Sequence, residues 1–273
     1  MSDLMRIYTN VQAMQSMNSL SVINQKIGMH QLRLATGKRI NSASEDPAGY
    51  QLSKSLETRR RGLEAALQNV SQAKNVMNVA EGGYQNIMDI LQTIKEKATQ
   101  AADYSLSTTQ RTAIDDQVTA LISEIDDIVG ETTFNGDSLI DGGYSGAFHT
   151  GEGASDELTI SLANGDSAAL SISTLNISTA NGASIGIATA SAAIDTLAAR
   201  IQEVGQYKVR LATKERTLGV AVTNAEATRS VIEDADFAKE QMEVMKLQIL
   251  QQTAVSSLVQ ANSAPQVVLS LFR

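Results

Sequence analysis

The stretch LEAALQNVSQAKNVMNVAEGGYQNIMDILQTIKEKATQA, residues 63–101, decides the fold. Leu63, Ala66, Val70, Ala73, Met77, Ala80, Tyr84, Ile87, Leu91, Ile94, Ala98 and Ala101 recur at alternating steps of three and four, with no polar interruption. A seam of that length is the pattern of a coiled-coil helix. Upstream, Asp46 followed by Pro47 reads as an N-cap and a first helical residue. One helix is therefore expected over 46–103, roughly 80 Å long at about 1.5 Å per residue. Gly82 and Gly83 are expected to weaken it by about 1 kcal/mol each relative to alanine.

Working outward, Ser107-Thr108-Thr109-Gln110 fits a capping box and opens a second helix over 107–129. Ile114, Val118, Leu121, Ile125 and Ile128 continue the seam there, and Gly130 is expected to end it. A turn at 102–107 folds this helix back along the first. Between Gly130 and Gly186 lie ten of the 18 glycines. Leu158-Thr159-Ile160-Ser161-Leu162 and Leu170-Ser171-Ile172 alternate as short strands, and Asn164-Gly165-Asp166 between them reads as a hairpin turn. The region 131–186 is thus expected to hold small β elements.

Helical spacing resumes over about 188–232 with Ile194, Leu197, Ile201, Val204, Leu211, Leu218, Val222, Ala225 and Ile232. Lys208, Glu215 and Arg229 fall on seam positions and blur it. Near the N-terminus Leu20, Ile23, Ile27 and Leu34 share one seam with His30. In the last stretch Ala235, Ala238, Met242, Met245, Ile249 and Val259 lie on one face, and Leu247, Leu250, Ala254 and Leu258 on a second. Pro265 is expected to break that helix. The fold class is mainly α: an antiparallel coiled-coil rod of N- and C-terminal helices with a small β-hairpin region in the middle.

The apolar segments Met5–Leu34 and Ala235–Leu258 pose a problem for a lone chain. If they pair, the doubly apolar last helix is expected to leave Leu247, Leu250 and Leu258 uncovered, and a two-helix hairpin is a poor core. Two readings follow. The helices close into one intramolecular bundle, or other copies supply the missing helices, and one head-to-tail contact repeated gives an open helical polymer.

Composition narrows the chemistry. The 273 residues contain no Cys, no Trp and only two histidines, His30 and His149. Disulfides, thiolate metal sites and thiol catalysis are excluded, no HExxH motif occurs, and neither a cofactor nor a metal is expected. The turn at 137–143 lacks the EF-hand pattern. From Thr112 to Ala199 there are 13 acids and no Lys or Arg, whereas the rest holds 22 bases and 17 acids. An acidic middle argues against nucleic acid as a partner. Met1–Gln15 shows no signal-peptide block and no run is read as reaching membrane-helix length, so no membrane partner is expected. Lys54 with Arg59, Arg60 and Arg61 forms a basic cluster. It reads either as a solvated face paired with Glu57 and Glu64, or as a contact with an acidic patch on a neighbouring subunit.

Several motifs, in order, resemble bacterial flagellins. They are Arg39-Ile40-Asn41-Ser42-Ala43-Ser44-Glu45-Asp46-Pro47-Ala48-Gly49, Thr133-Phe134-Asn135-Gly136, Ile232-Glu233-Asp234-Ala235-Asp236-Phe237-Ala238, Gln260-Ala261-Asn262 and Pro265-Gln266-Val267-Val268-Leu269. The likeness covers about the first 140 and last 85 residues, and the short middle looks like a form with little or no outer variable domain.

The resemblance implies a secreted subunit that homopolymerises into the extracellular flagellar filament for swimming, without catalysis. It implies a discontinuous inner coiled-coil domain, 1–43 with 235–273, lining a channel, and an outer domain over 44–234. It also implies termini disordered before assembly, export through the flagellar type III apparatus, a chaperone on the C-terminal helix, and filament cap and hook-associated partners. Under it, Leu20, Ile23, Ile27, Leu34, Met242, Met245, Leu247, Ile249, Leu250, Leu258 and Val259 are candidate self-assembly residues. Hook–filament junction proteins share these ends, and a surface adhesin is a further alternative. Many flagellins carry an Arg, a Leu and a Glu read by the toll-like receptor for flagellin. With Leu91-Gln92 and Glu96 aligned, this chain has Thr93 at the Arg position, Lys97 at the Leu position and Gln117 at the Glu position.

Overall fold

The computed structural model describes residues 9–270, with side-chain surroundings through Ser263. Met5 and the side chains of Pro265 to Leu269 lie outside the described residues. The helices are α1 (Val11–Thr36), α2 (Pro47–Ala101), α3 (Thr108–Glu131), α4 (Ala180–Glu233) and α5 (Phe237–Ser270). Two antiparallel pairs, β1 (Thr133–Phe134) with β2 (Asp137–Ser138) and β3 (Ser145–His149) with β4 (Glu157–Ser161), complete the described fold. The molecule is mainly α with a small β region. It divides into two compact units, 59–223 and a discontinuous unit of residues up to Thr58 with those from Asn224 onward.

The unit 59–223 is built on the α2 seam. All twelve seam residues from Leu63 to Ala101 are buried. The turn to α3 is fixed by its capping box: the Ser107 amide donates to Gln110 Oε1 (2.8 Å) and the Gln110 amide to Ser107 Oγ (3.4 Å). Buried Arg111 donates from Nε to the Ala101 carbonyl (2.8 Å), at the end of α2, and from Nη2 to the Asp103 carbonyl (2.7 Å) in the turn that follows. α3 buries Ile114, Val118, Ile122, Ile125 and Val129, while Leu121 and Ile128 are half-buried flanks. It continues through Gly130 to Glu131 and stops at Thr132, because the Thr132 amide and hydroxyl both still reach the Ile128 carbonyl.

Gly83 is needed rather than merely tolerated. A Cβ there would stand 2.7 Å from Thr132 Oγ1 and 3.0 Å from Ile140 Cδ1, so the bare backbone lets the chain after α3 close onto α2; beside Gly82 the space is open.

α4 runs antiparallel to α2 in this unit. The charged residues that blur its seam find partners: Lys208 with Glu81 (2.5 Å) and Glu215 with Lys74 (2.8 Å). Its start, Ala180, precedes the expected one near 188. The Thr179 hydroxyl accepts from the Gly182 amide (3.0 Å) as a cap, and Ala183, Ala190 and Ala193 are buried. Alanines at such positions carry little periodic signal. One stretch of α4 is long and apolar enough to cross a membrane, which corrects the expectation that no run reaches that length; Leu197 and these alanines are instead turned into the core.

The β pairing also differs from expectation. The partner of Leu158–Ser161 is the earlier segment Ser145–Phe148, not Leu170–Ile172, which forms turns. Asn164-Gly165-Asp166 is not a hairpin loop. Asn164 Oδ1 accepts from the Asp166 amide (2.9 Å) and Asp166 Oδ1 from the Ala169 amide (2.6 Å), so these side chains start a helical turn instead. The tight hairpin is at Asn135-Gly136, with φ of 54° and 93°, the left-handed pair that a two-residue turn demands.

In the discontinuous unit, Asp46 caps α2 by accepting from the Gly49 amide (2.9 Å). Gly37, at φ 69°, ends α1. Residues 37–39 then lie against 233–235: the Arg39 amide donates to the Glu233 carbonyl (2.6 Å) and the Ala235 amide to the Gly37 carbonyl (2.9 Å). The α5 backbone stays helical through position 265 to Ser270. Pro265 thus costs a bond without ending the helix.

Candidate assembly surface

α1 and α5 pack antiparallel, and polar ties set which faces meet. Asn10 Nδ2 donates to the Ala261 carbonyl (2.7 Å), Gln251 Nε2 to Asn24 Oδ1 (2.6 Å), and His30 pairs with Glu240. Arg33 also faces Glu240 (3.6 Å) and binds Glu45 (3.1 Å). These ties turn Val244, Leu247 and Ala261 of α5 inward against Ala13 and Ile27 of α1. Leu20, Ile23 and Leu34 are half-buried, as are Ala254 and Leu258.

Of the three residues expected to be uncovered, Leu247, Leu250 and Leu258, only Leu250 is exposed, and the open face is otherwise the other one. Leu247 is buried and Leu258 half-buried, whereas Met242 (60%), Met245 (49%), Ile249 (64%) and Val259 (63%) are exposed, with Leu250 and Val255 beside them. Both faces are apolar, so periodicity cannot choose between them; the polar ties, joining residues more than 200 apart in sequence, do. On α1, Met14, Met17, Val22 and Leu32 are exposed too. Met14 and Met17 were missed by the seam reading, although their spacing of three was visible. Met17, Leu20, Ser21, Asn24, Gln25 and Leu258 line an open groove of about 530 Å³. Each exposed side chain of this size gains about 1.5–3 kcal/mol when covered.

A buried ionic knot holds the base of this unit. Glu233 is 4% exposed and receives Lys38 Nζ (2.5 Å), Ser53 Oγ (2.5 Å) and Arg229 Nη1 (2.8 Å). Burial alone pushes its carboxyl up, but the donors from Lys38, Ser53 and Arg229 outweigh it and hold it at about 2. Arg229 is raised, chiefly by its bonds to Glu226 and against its own partial burial. Glu233 was legible only as part of a motif; its role needs Lys38 and Ser53, far away in sequence.

The other candidate residues lie in the unit 59–223. Arg59 meets Glu152 (2.9 Å), Arg60 pairs with Glu64, and Arg61 is exposed and partnered. Thr93 and Lys97 are half-buried on α2, with the Thr93 hydroxyl donating to the Asp89 carbonyl (3.0 Å), and Gln117 is exposed on α3. Among the described residues no group of three or more His, Asp or Glu is placed to hold a metal ion.

The pattern of the bacterial flagellin N-terminal helical region matches residues 7–145, and that of the C-terminal helical region matches 187–272. Flagellin FlaB1 of Treponema pallidum is 32% identical over 286 residues, covering 98% of this chain and all of that one. The flagellin of Bacillus subtilis is 31% identical over 304 residues, with 98% and 100% covered. The crystal structure of Bacillus cereus flagellin aligns with 58% of this chain and 88% of its own at 23% identity and a TM-score of 0.44. The chain belongs to the bacterial flagellin family, in a short form, and is a structural subunit of the flagellar filament. The junction-protein and adhesin alternatives are not favoured.

Proposed function

We propose that the exposed apolar rows of α1 and α5 are the surfaces through which this flagellin polymerises. The observation that carries the reading is the row Met242, Met245, Ile249 and Val259, open to solvent on a helix whose other face is already paired. Leu20, Ile23, Ile27, Leu34, Leu247 and Leu258 act by holding α1 to α5, and Leu250 joins the open row. In this reading 1–43 with 235–273 form the inner coiled-coil domain of the filament and 44–234 the outer one. Secretion proceeds through the flagellar export apparatus, a chaperone covers the open face of α5 until then, and the cap and hook-associated proteins bound the polymer at its ends. The intrachain partners of Arg59 and Arg60 leave the arginine run a minor part in subunit contacts. The reading assigns no catalysis.

Changing Met242, Met245, Ile249 and Val259 together to Gln tests the assembly role. The variant is expected to keep its helicity and to yield no filaments in negative stain; full-length tubes would overturn the reading. Thr93, Lys97 and Gln117 remove the arginine anchor and the carboxylate from the receptor epitope. Purified monomer is therefore expected to activate the receptor weakly in a reporter assay, and a potent response would contradict this.

A further inference from the structure

The unit 59–223 carries two charged faces that make no ion pair among the described residues. On α4, Val209, Thr213, Arg216 and Val220 form one exposed row, and Arg210 and Lys214 stand in the adjoining row. Val209 is 68% and Val220 61% exposed. Neighbouring charges along these helices do pair: Lys208 with Glu81 and Glu215 with Lys74. Among the described residues, Arg210, Lys214 and Arg216 make no ion pair, and Arg210 only stacks over Tyr207, at 5.8 Å. Val209 and Val220 stand uncovered at the two ends of this basic face.

On α3, Asp116, Glu124, Asp127 and Glu131 are all exposed and fall on a single stripe of the helix, with Ala113 before them and Ala120 among them. The other two acids nearest them in sequence are spoken for. Asp115 accepts from the Ile177 amide (2.7 Å), and Asp126 from the Ser167 amide and hydroxyl (2.8 Å each). The four stripe acids have no ion pair among the described residues.

We infer that the basic, valine-bearing face of α4 at 209–220 docks on the acidic, alanine-lined stripe of α3 at 113–131 of a second copy of this chain. Opposite charges pair across the contact, and the small side chains of α3 leave room for Val209 and Val220. The two surfaces are different, so where each copy offers one of them to one neighbour and the other to the next, the contact is heterologous and runs from copy to copy, as a filament requires. The inference rests on the filament reading and names a second contact within it, separate from the apolar rows of α1 and α5.

Because the chain has no cysteine, single thiols can test it. Lys214→Cys and Glu124→Cys chains, copolymerised and treated with a short bis-maleimide, are expected to give dimers joined between 214 and 124. Filaments of either variant alone are expected to give none. Filaments without 214–124 dimers, or dimers in the single-variant filaments, overturn the contact while leaving the filament reading intact. Unaltered chain that makes no filament sinks that reading instead. In parallel, Arg210→Glu with Lys214→Glu is expected to raise the critical concentration about tenfold. Adding Glu124→Lys and Asp127→Lys to the same chain is expected to restore it; no rise, or no rescue, overturns the contact.

Discussion

Glu233 shows what one buried carboxylate does for the base of the discontinuous unit. It gathers Lys38, Ser53 and Arg229 and lies beside the bonds that join 37–39 to 233–235. Replacing it with Gln leaves a lysine and an arginine facing a neutral group, at a cost of about 3–5 kcal/mol. Amide exchange at Arg39 and Ala235 is expected to quicken accordingly. The pH dependence follows from the direction of the shift. The native carboxyl titrates at about 2, below its ordinary value of 4.5, so its contribution is complete above about 4.5 and is lost as pH falls towards 2. Melting curves of Glu233→Gln are expected to lose that part of the acid sensitivity; an unchanged acid profile would show that the knot carries none of it. None of this could be read from the sequence, where Glu233 is one acid within a motif and its partners lie up to 195 positions away.

At the scale of elements, the long seam was fully legible because every three- or four-residue step landed on a buried side chain. Ile87, in its middle, is fully buried. Ile87→Ala is expected to cost about 2–5 kcal/mol, read as a lower urea midpoint with little change in slope. The capping box at Ser107 and the cap at Asp46 were legible because each depends on residues three apart. The strands were not. Leu170-Ser171-Ile172 alternates as well as Leu158-Thr159-Ile160 does, but pairing is decided by what the flanking side chains bind. Asp166 is spent on the Ala169 amide, and Gly165 donates to the Ile140 carbonyl (2.7 Å). The face of α5 was illegible because hydrophobic spacing was satisfied on both sides, and long-range polar ties made the choice.

At the scale of the molecule, the acidic middle is divided between two tasks that composition cannot separate. Some carboxylates, such as Asp115, Asp126 and Asp166, hold backbone amides of the 163–179 segment in place. Others, on α3, make no ion pair among the described residues. Tyr84 completes the first task from the other side. Its hydroxyl donates to the Ala163 carbonyl beneath fully buried packing, and burial pushes the phenol up to about 12. A raised native value means the phenol's contribution is intact below about 10 and disappears as pH climbs to 12. With no tryptophan among the 273 residues, ultraviolet absorbance at wavelengths beyond the phenylalanine band belongs to tyrosine alone. Burial raises Tyr144 as well, so an alkaline titration followed at the phenolate band is expected to show a late-ionising component from Tyr84 that shifts back towards 10 in a Gly165→Val chain, whose added bulk would meet Tyr84 and Ile87. That ring is a resident optical gauge, reporting without any label whether the loop is seated as the subunit leaves or joins its polymer.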